Sequence, residues 1–401
     1  MSTWYSPPMG TQDTRFTPRF AGRIRDLVQS DIRRMSRECE RAGGINLGQG
    51  ICDQPTPEPI KRATTDAVRA DRNMYSRFEG IDELRLKIAA KMRSYNGITC
   101  DPETEVVVTV GSTGAFAIAA LALLEPGDEV ILFSPFYSYH ANLITLCGAT
   151  PRFVRMHPPG WEFDGKELRA AFTPRTRAIV VNTPSNPTGK VYSKEELEFI
   201  AGLCAHRGTC AITDEIYEYI LYDGHRHISL GSIPGMEDRT VTISGFSKTY
   251  SMTGWRLGYA VAPPSIAARL GVLNDLLYIC APTPLQHGVT AAFGLPGSYY
   301  DDLKASYAVK LDALSDACAA TGLEVIRPQG AYYLLADVSR LGCPSDREAA
   351  ALLLEKAGVS AVPGSAFHAD PRDGMQQVRF CFAKKSDELD EACRRLRALV
   401  L

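Results

Sequence analysis

Lys248 lies in the run Ser244-Gly-Phe-Ser-Lys-Thr-Tyr-Ser-Met-Thr-Gly-Trp-Arg-Leu-Gly258, the stretch of this chain best suited to chemistry. Its small Gly and Ser neighbours let a bulky planar group approach the backbone, where a lysine amine can form a Schiff base. The hydroxyls of Ser244, Ser247, Thr249 and Ser251 offer donors to a phosphate. Arg256, eight residues on, offers a planar fork matched to phosphate oxygens. A lysine on a Gly/Ser loop is most often simply solvated, so the specificity lies in the whole run.

Other residues suit the same chemistry. Gly111-Ser112-Thr113-Gly114 stands between an apolar run and a helical segment, where free N–H groups and the positive dipole end attract anions. A plain helix cap is the simpler reading, and no Gly-Lys-Ser/Thr follows to make it a Walker loop. In Asn182-Thr-Pro-Ser-Asn186-Pro-Thr-Gly189, prolines can hold two amides toward a planar ring, although the same residues form turns. Asp214, in Thr213-Asp-Glu-Ile-Tyr217, is a carboxylate at a strand end that needs a cation if buried. Tyr137 is a stacking aromatic or a core one. Arg379, flanked by Val378 and Phe380, is costly to bury without an anion.

The elements that must position these residues follow from pattern. Short apolar, β-branched runs at 106–110, 129–133, 178–181, 210–213, 240–243 and 258–261 alternate with helical segments such as 115–124. This predicts an α/β fold whose largely parallel sheet is covered on both faces. Beyond Pro296 the pattern becomes a long helix at 299–321, strands at 324–326, 331–337, 359–362 and 378–383, and helices at 346–357 and 386–399. The expected division is an arm at 1–18, a smaller α+β domain from 19–51 and 297–401, and a large α/β domain at 52–296. A helix at 19–42 joins the smaller domain.

Composition narrows the class. A chain of 401 residues with 45% hydrophobic and 22% charged residues is an ordinary globular protein of about two domains. A net charge of −2 gives no field for nucleic acid or membrane. Eleven scattered cysteines without a Cys-x-x-Cys pair argue against a zinc site or a disulfide framework and for a reducing cytoplasm. Residues 1–20 lack the apolar core of a signal peptide.

Taken together, the runs around Lys248, Asn186 and Asp214 resemble the pyridoxal-phosphate-dependent aminotransferases of classes I and II. The resemblance extends over about residues 24–400 and includes Arg327-Pro-Gln-Gly-Ala-Tyr-Tyr333 and Val362-Pro-Gly-Ser-Ala-Phe367. It implies fold type I, with pyridoxal phosphate bound by Lys248. Ser112, Thr113, Arg256 and a serine, Ser244 or Ser247, would hold the phosphate. Asn186 and Tyr217 would meet the ring hydroxyl, Asp214 the ring nitrogen and Tyr137 the ring face. Arg379, Asn186 and Gly50 would hold the substrate α-carboxylate. Tyr75 would reach the phosphate of a neighbouring subunit, implying a homodimer with shared sites. The implied reaction moves an amino group between an α-amino acid and a 2-oxo acid by ping-pong chemistry. A C–S β-lyase shares the scaffold, and a PLP-binding regulator is disfavoured by the absence of a helix-turn-helix pattern. No metal is expected. Arg77, His140, Arg15 and Arg19 are unranked candidates to meet a distal carboxylate on the substrate.

Overall fold

The computed structural model describes residues 19–24, 27 and 30–399; the arm expected at 1–18, with Arg15, lies outside them. An eight-stranded sheet runs in the order Val106–Thr109, Gly258–Val261, Thr240–Gly245, Cys210–Asp214, Thr176–Asn182, Glu129–Ser134, Thr150–His157, Glu162–Phe163. The five strands from Thr240–Gly245 to Thr150–His157 are mutually parallel. Gly258–Val261 runs antiparallel to both of its neighbours. Apolar residues fill both faces: Val130 and Leu132 pack into one core, Ile131 and Phe133 into another. That two-sided burial is why these strands read as continuous apolar runs rather than as alternation.

A second, four-stranded antiparallel sheet runs Glu324–Ile326, Tyr333–Asp337, Gln377–Cys381, Val362–Pro363. Its core joins Met35 and Leu47 to Leu311, Phe380 and Leu396, and also takes in Ile216 and Tyr217 from the large-sheet side. The helix Gly297–Ala320 precedes this sheet and the helix Ser386–Arg397 closes the chain. Among the described residues no helix is long and apolar enough to cross a membrane.

Several expected elements are differently bounded. In place of one helix at 19–42 there is a 3-10 turn at Gly22–Ile24 and a helix at Asp31–Ala42. Ser30, with extended backbone, caps the latter by accepting from Ile32 N at 3.2 Å, which sets its start. The helix expected from 115 begins at Gly111, so the Gly-Ser-Thr-Gly turn is itself the helix N-terminus. The run at 359–362 splits: Val359–Ser360 pairs with Ile45–Asn46, while Val362–Pro363 joins the four-stranded sheet.

Candidate active site

A cavity of about 480 Å³ opens where the parallel strands end and the second sheet abuts them. Asn182 and Asp214 are the last residues of adjacent paired strands, and Asn182 Nδ2 donates to the Asp214 carbonyl at 2.9 Å. Asn182 Oδ1 accepts from Asn186 N at 2.7 Å, which fixes the following proline-rich turn. Asp214 Oδ1 accepts from Ile216 N at 3.3 Å, and Oδ2 lies 3.0 Å from His140 Nε2. His140 is buried, stacked on Phe116 at 4.4 Å and edge-on to Tyr137 at 5.3 Å. Among the described residues Asp214 is the only carboxylate lining the cavity.

Lys248 lines the same cavity as Asp214. The residue is part-exposed to the cavity, yet burial of its amine lowers the pKa, with Cys52, Cys381 and Asp214 acting in the opposite direction. Nζ donates to Gly50 O at 3.3 Å and lies 5.9 Å from the Tyr217 ring. The Tyr217 hydroxyl meets that of Tyr333 at 2.9 Å, and burial pushes the Tyr217 phenol well above its usual range. A Cβ on Gly50 would stand 2.0 Å from the Tyr333 hydroxyl oxygen, so only glycine fits there.

Arg379 is fully buried at 0% exposure. Nη1 donates to Asn186 Oδ1 at 2.8 Å and Nη2 to Gly48 O at 2.6 Å. The guanidinium lies between the rings of Tyr333 and Phe367, 4.2 and 4.7 Å from their centroids. Its Nε has no partner, an orphaned donor on a buried cation.

Elsewhere in the cavity wall, Arg256 and the turn from Gly111 are arranged so that they could receive an anion. Gly111 has φ +73°, and a Cβ there would stand 2.6 Å from Arg256 Nη2. Arg256 itself is left-handed at φ +58°, a strained backbone of the kind found at functional sites, and Nη1 donates to Thr253 O at 3.1 Å. Gly258 backs the turn: its Cβ would lie 2.5 Å from Ser112 N. Ser112, Thr113 and Ser247 line the cavity. Ser244 instead donates to Glu218 Oε1 at 2.6 Å in a buried network. In that network Lys91 Nζ, 2.6 Å from Glu218 Oε2, supplies the positive charge, and its pKa is pushed up to about 12.

The structure thus brings Gly50, Ser112, Thr113, Tyr137, Asn186, Asp214, Tyr217, Ser247, Lys248, Arg256 and Arg379 to one cavity. Tyr75 lies outside it and is 77% exposed. Of the cations weighed for a distal carboxylate, Arg77 is paired with Glu79 and Glu103 at the surface, and His140 is engaged by Asp214. Arg19 does not line the cavity either. Sequence reading missed Arg33, Gln49 and Phe116 in its wall and gave Tyr333 no role. His140 follows Tyr137 by three residues at a helix start, a same-face spacing that points to it. A larger groove of about 820 Å³, lined by Lys190, Tyr192, Phe199 and Arg226, contains none of these residues.

Comparison with known proteins agrees with this geometry. Residues 42–396 match the family "Aminotransferase class I and II". The solved N-succinyldiaminopimelate aminotransferase of Mycobacterium tuberculosis is 39% identical, with a TM-score of 0.91 over 95% of this chain and 100% of that one. A methionine aminotransferase structure from Escherichia coli is 33% identical, with a TM-score of 0.91 over 96% and 100%. Human kynurenine–oxoglutarate transaminase 1 is 35% identical over 88% of this chain and 92% of its own length. The chain belongs to the class I and II aminotransferase family. It is an aminotransferase of the α/β fold type I, and its cofactor is pyridoxal phosphate. The residues present fit that group: a glycine-backed anion cradle, a single lining carboxylate, a desolvated lysine, and a buried guanidinium with a spare donor.

Proposed function

We propose that this cavity is the transamination site. The observation that carries the reading is the convergence of Lys248, Asp214, Arg256 and Arg379 on one cavity, with the Arg379 Nε left unpartnered. When bound, the cofactor supplies an electron sink for negative charge developing at the substrate Cα. Lys248 would anchor it covalently and, once released, take the Cα proton. An amine with a lowered pKa is a free base nearer neutral pH than an ordinary lysine. Asp214, oriented by His140 and Ile216 N, would hold the proton on the ring nitrogen. Asn186 has spent its carbonyl on Arg379 and keeps its NH2 for the ring hydroxyl, beside Tyr217. Ser112, Thr113, Ser247 and Arg256 would hold the phosphate, and Tyr137 the ring face. Arg379 with Gly50 would grip the α-carboxylate.

The relatives' names differ in the amino donor (N-succinyldiaminopimelate, methionine, kynurenine). Exposed Tyr75, with Met74, Leu276 and Ile279 also exposed, supports a homodimer in which Tyr75 serves the neighbouring site. All eleven cysteines are unpaired, which supports a cytoplasmic setting. We place the division between the two domains near residues 51 and 297, with the site between them.

Lys248→Ala is expected to abolish turnover together with the pH-sensitive visible band of the bound cofactor. Normal turnover in that variant refutes the assignment. Release of ammonia from cystathionine without any oxo acid acceptor would instead favour elimination.

A further inference from the structure

Tyr333 lines the cavity, yet the roles above leave its hydroxyl unused. It opens the strand Tyr333–Asp337 of the second sheet, while Tyr217 follows the strand Cys210–Asp214 of the large one. Backbone bonds fix the approach of the two segments: Ala331 N donates to Ile220 O at 2.9 Å and Tyr222 N to Gln329 O at 3.0 Å. Ala331 holds a left-handed φ of +60° where the chain turns into that contact. The two tyrosine rings stand edge to face, 5.7 Å apart, and their hydroxyl oxygens meet at 2.9 Å. Among the described residues each hydroxyl has the other as its sole hydrogen-bond partner. Gly50 closes another side of the Tyr333 oxygen, since a Cβ there would stand 2.0 Å from it.

The surroundings decide which phenol donates. Burial raises the pKa of both. At Tyr333 the Arg379 guanidinium, 4.2 Å from the ring centroid, opposes burial while Cys381 and Cys52 add to it, and the phenol is pushed up to about 12. At Tyr217 the neighbouring Tyr333, Tyr137 and Asp214 all add to burial, and the phenol stands well above its usual range. The Lys248 amine lies 5.9 Å from the Tyr217 ring. Tyr333 is therefore the stronger acid of the pair and donates to the Tyr217 oxygen. Tyr217 keeps its own proton for the cavity, and a hydroxyl that accepts one hydrogen bond donates a stronger one.

We propose that Tyr333, by donating to Tyr217, aims and strengthens the O–H that Tyr217 presents to the ring hydroxyl oxygen of the cofactor. This rests on the transamination reading, which puts Tyr217 beside that oxygen. A donor there favours the form of the cofactor that has lost its proton, so weakening the donor raises the pH midpoint of the visible band. The test titrates that band in cofactor-loaded wild type, Tyr333→Phe, Tyr217→Phe and the double variant. Phenylalanine at 333 keeps the ring against Arg379 and removes only the hydroxyl. Its midpoint rises by roughly half a pH unit, the cooperative share of a hydrogen bond to a charged oxygen. Tyr217→Phe raises the midpoint by about one to two units. Tyr333→Phe adds nothing on the Tyr217→Phe background, because its effect passes through Tyr217. A Tyr333→Phe midpoint equal to or below that of wild type overturns the proposal, the lower value by showing that Tyr217 donates to Tyr333. A further rise in the double variant also overturns it, by giving Tyr333 a route to the cofactor that bypasses Tyr217. An unshifted midpoint in Tyr217→Phe refutes the placement of Tyr217 itself, and the proposal falls with it.

Discussion

Arg379→Met tests the buried guanidinium most directly, because methionine keeps an unbranched side chain between Tyr333 and Phe367 while removing the charge. The wild-type cation has only neutral acceptors, Asn186 Oδ1 at 2.8 Å and Gly48 O at 2.6 Å, and 0% of it is exposed. Such a charge is uncompensated until an anion arrives. Removing one partner of a buried charged pair costs about 2–5 kcal/mol. At about 1.4 kcal/mol per factor of ten, kcat/KM for every amino acid should fall roughly 30- to 4,000-fold. Stability should respond in the other direction or hardly at all. The orphaned Asn186 and Gly48 oxygens cost about 1 kcal/mol each, and relief of an unpaired buried cation offsets that. The assay is stopped-flow bleaching of the cofactor band against amino acid concentration, with thermal melts of the cofactor-free protein alongside. A kcat/KM near that of wild type would refute the reasoning. Loss of cofactor in step with activity would also refute it, by putting Arg379 at the cofactor rather than at the substrate.

Burial holds the Lys248 pKa below its ordinary 10.5. Between the lowered value and 10.5 the unfolded chain binds the proton and the folded chain does not, so this residue makes stability rise with pH across that window. Cofactor-free Lys248→Met should therefore exceed wild type in urea midpoint on the acid side, with the gap narrowing toward pH 10.5; a gap that widens refutes the desolvation argument. Gly258→Ala should weaken cofactor affinity, since its Cβ would sit 2.5 Å from Ser112 N. Overpacking of about 1–3 kcal/mol corresponds to roughly 5- to 150-fold in Kd, measured by fluorescence titration. Gly202→Ala, in the helix Lys194–Arg207 with nothing within 4 Å, is the control and should bind the cofactor as wild type does.

What the sequence made legible follows from chain geometry. In a parallel sheet each strand delivers its last residues to the same edge, so Asn182, Asp214 and the run after Gly245 could be foreseen as neighbours from order alone. The α/β class was legible for the same reason. Residues that reach the cavity through tertiary packing were not. Tyr333 arrives by strand pairing with Cys381, and Arg33 by the rotation of a helix whose start Ser30 fixes. Strand direction was also hidden. Gly258–Val261 is as apolar as the parallel strands of the sheet, and nothing in its composition announces that it runs antiparallel to both of its neighbours. Ser244 and Ser247 looked equivalent in sequence. The buried Glu218 distinguishes them, because it draws Ser244 away from the cavity.

The reversed strand has a consequence for how the protein is made. Among the described residues Val106–Thr109 sits at the sheet edge with Gly258–Val261 as its sole strand neighbour, ~150 residues later in the chain. On a ribosome adding roughly 5–20 residues per second, the earlier strand waits on the order of ten to thirty seconds for its partner. The turn that begins at Gly111 cannot be backed by Gly258 before then. Cofactor capture therefore cannot precede the synthesis of Gly258, and a nascent chain stalled short of it should hold its central parallel strands while remaining unable to retain the cofactor.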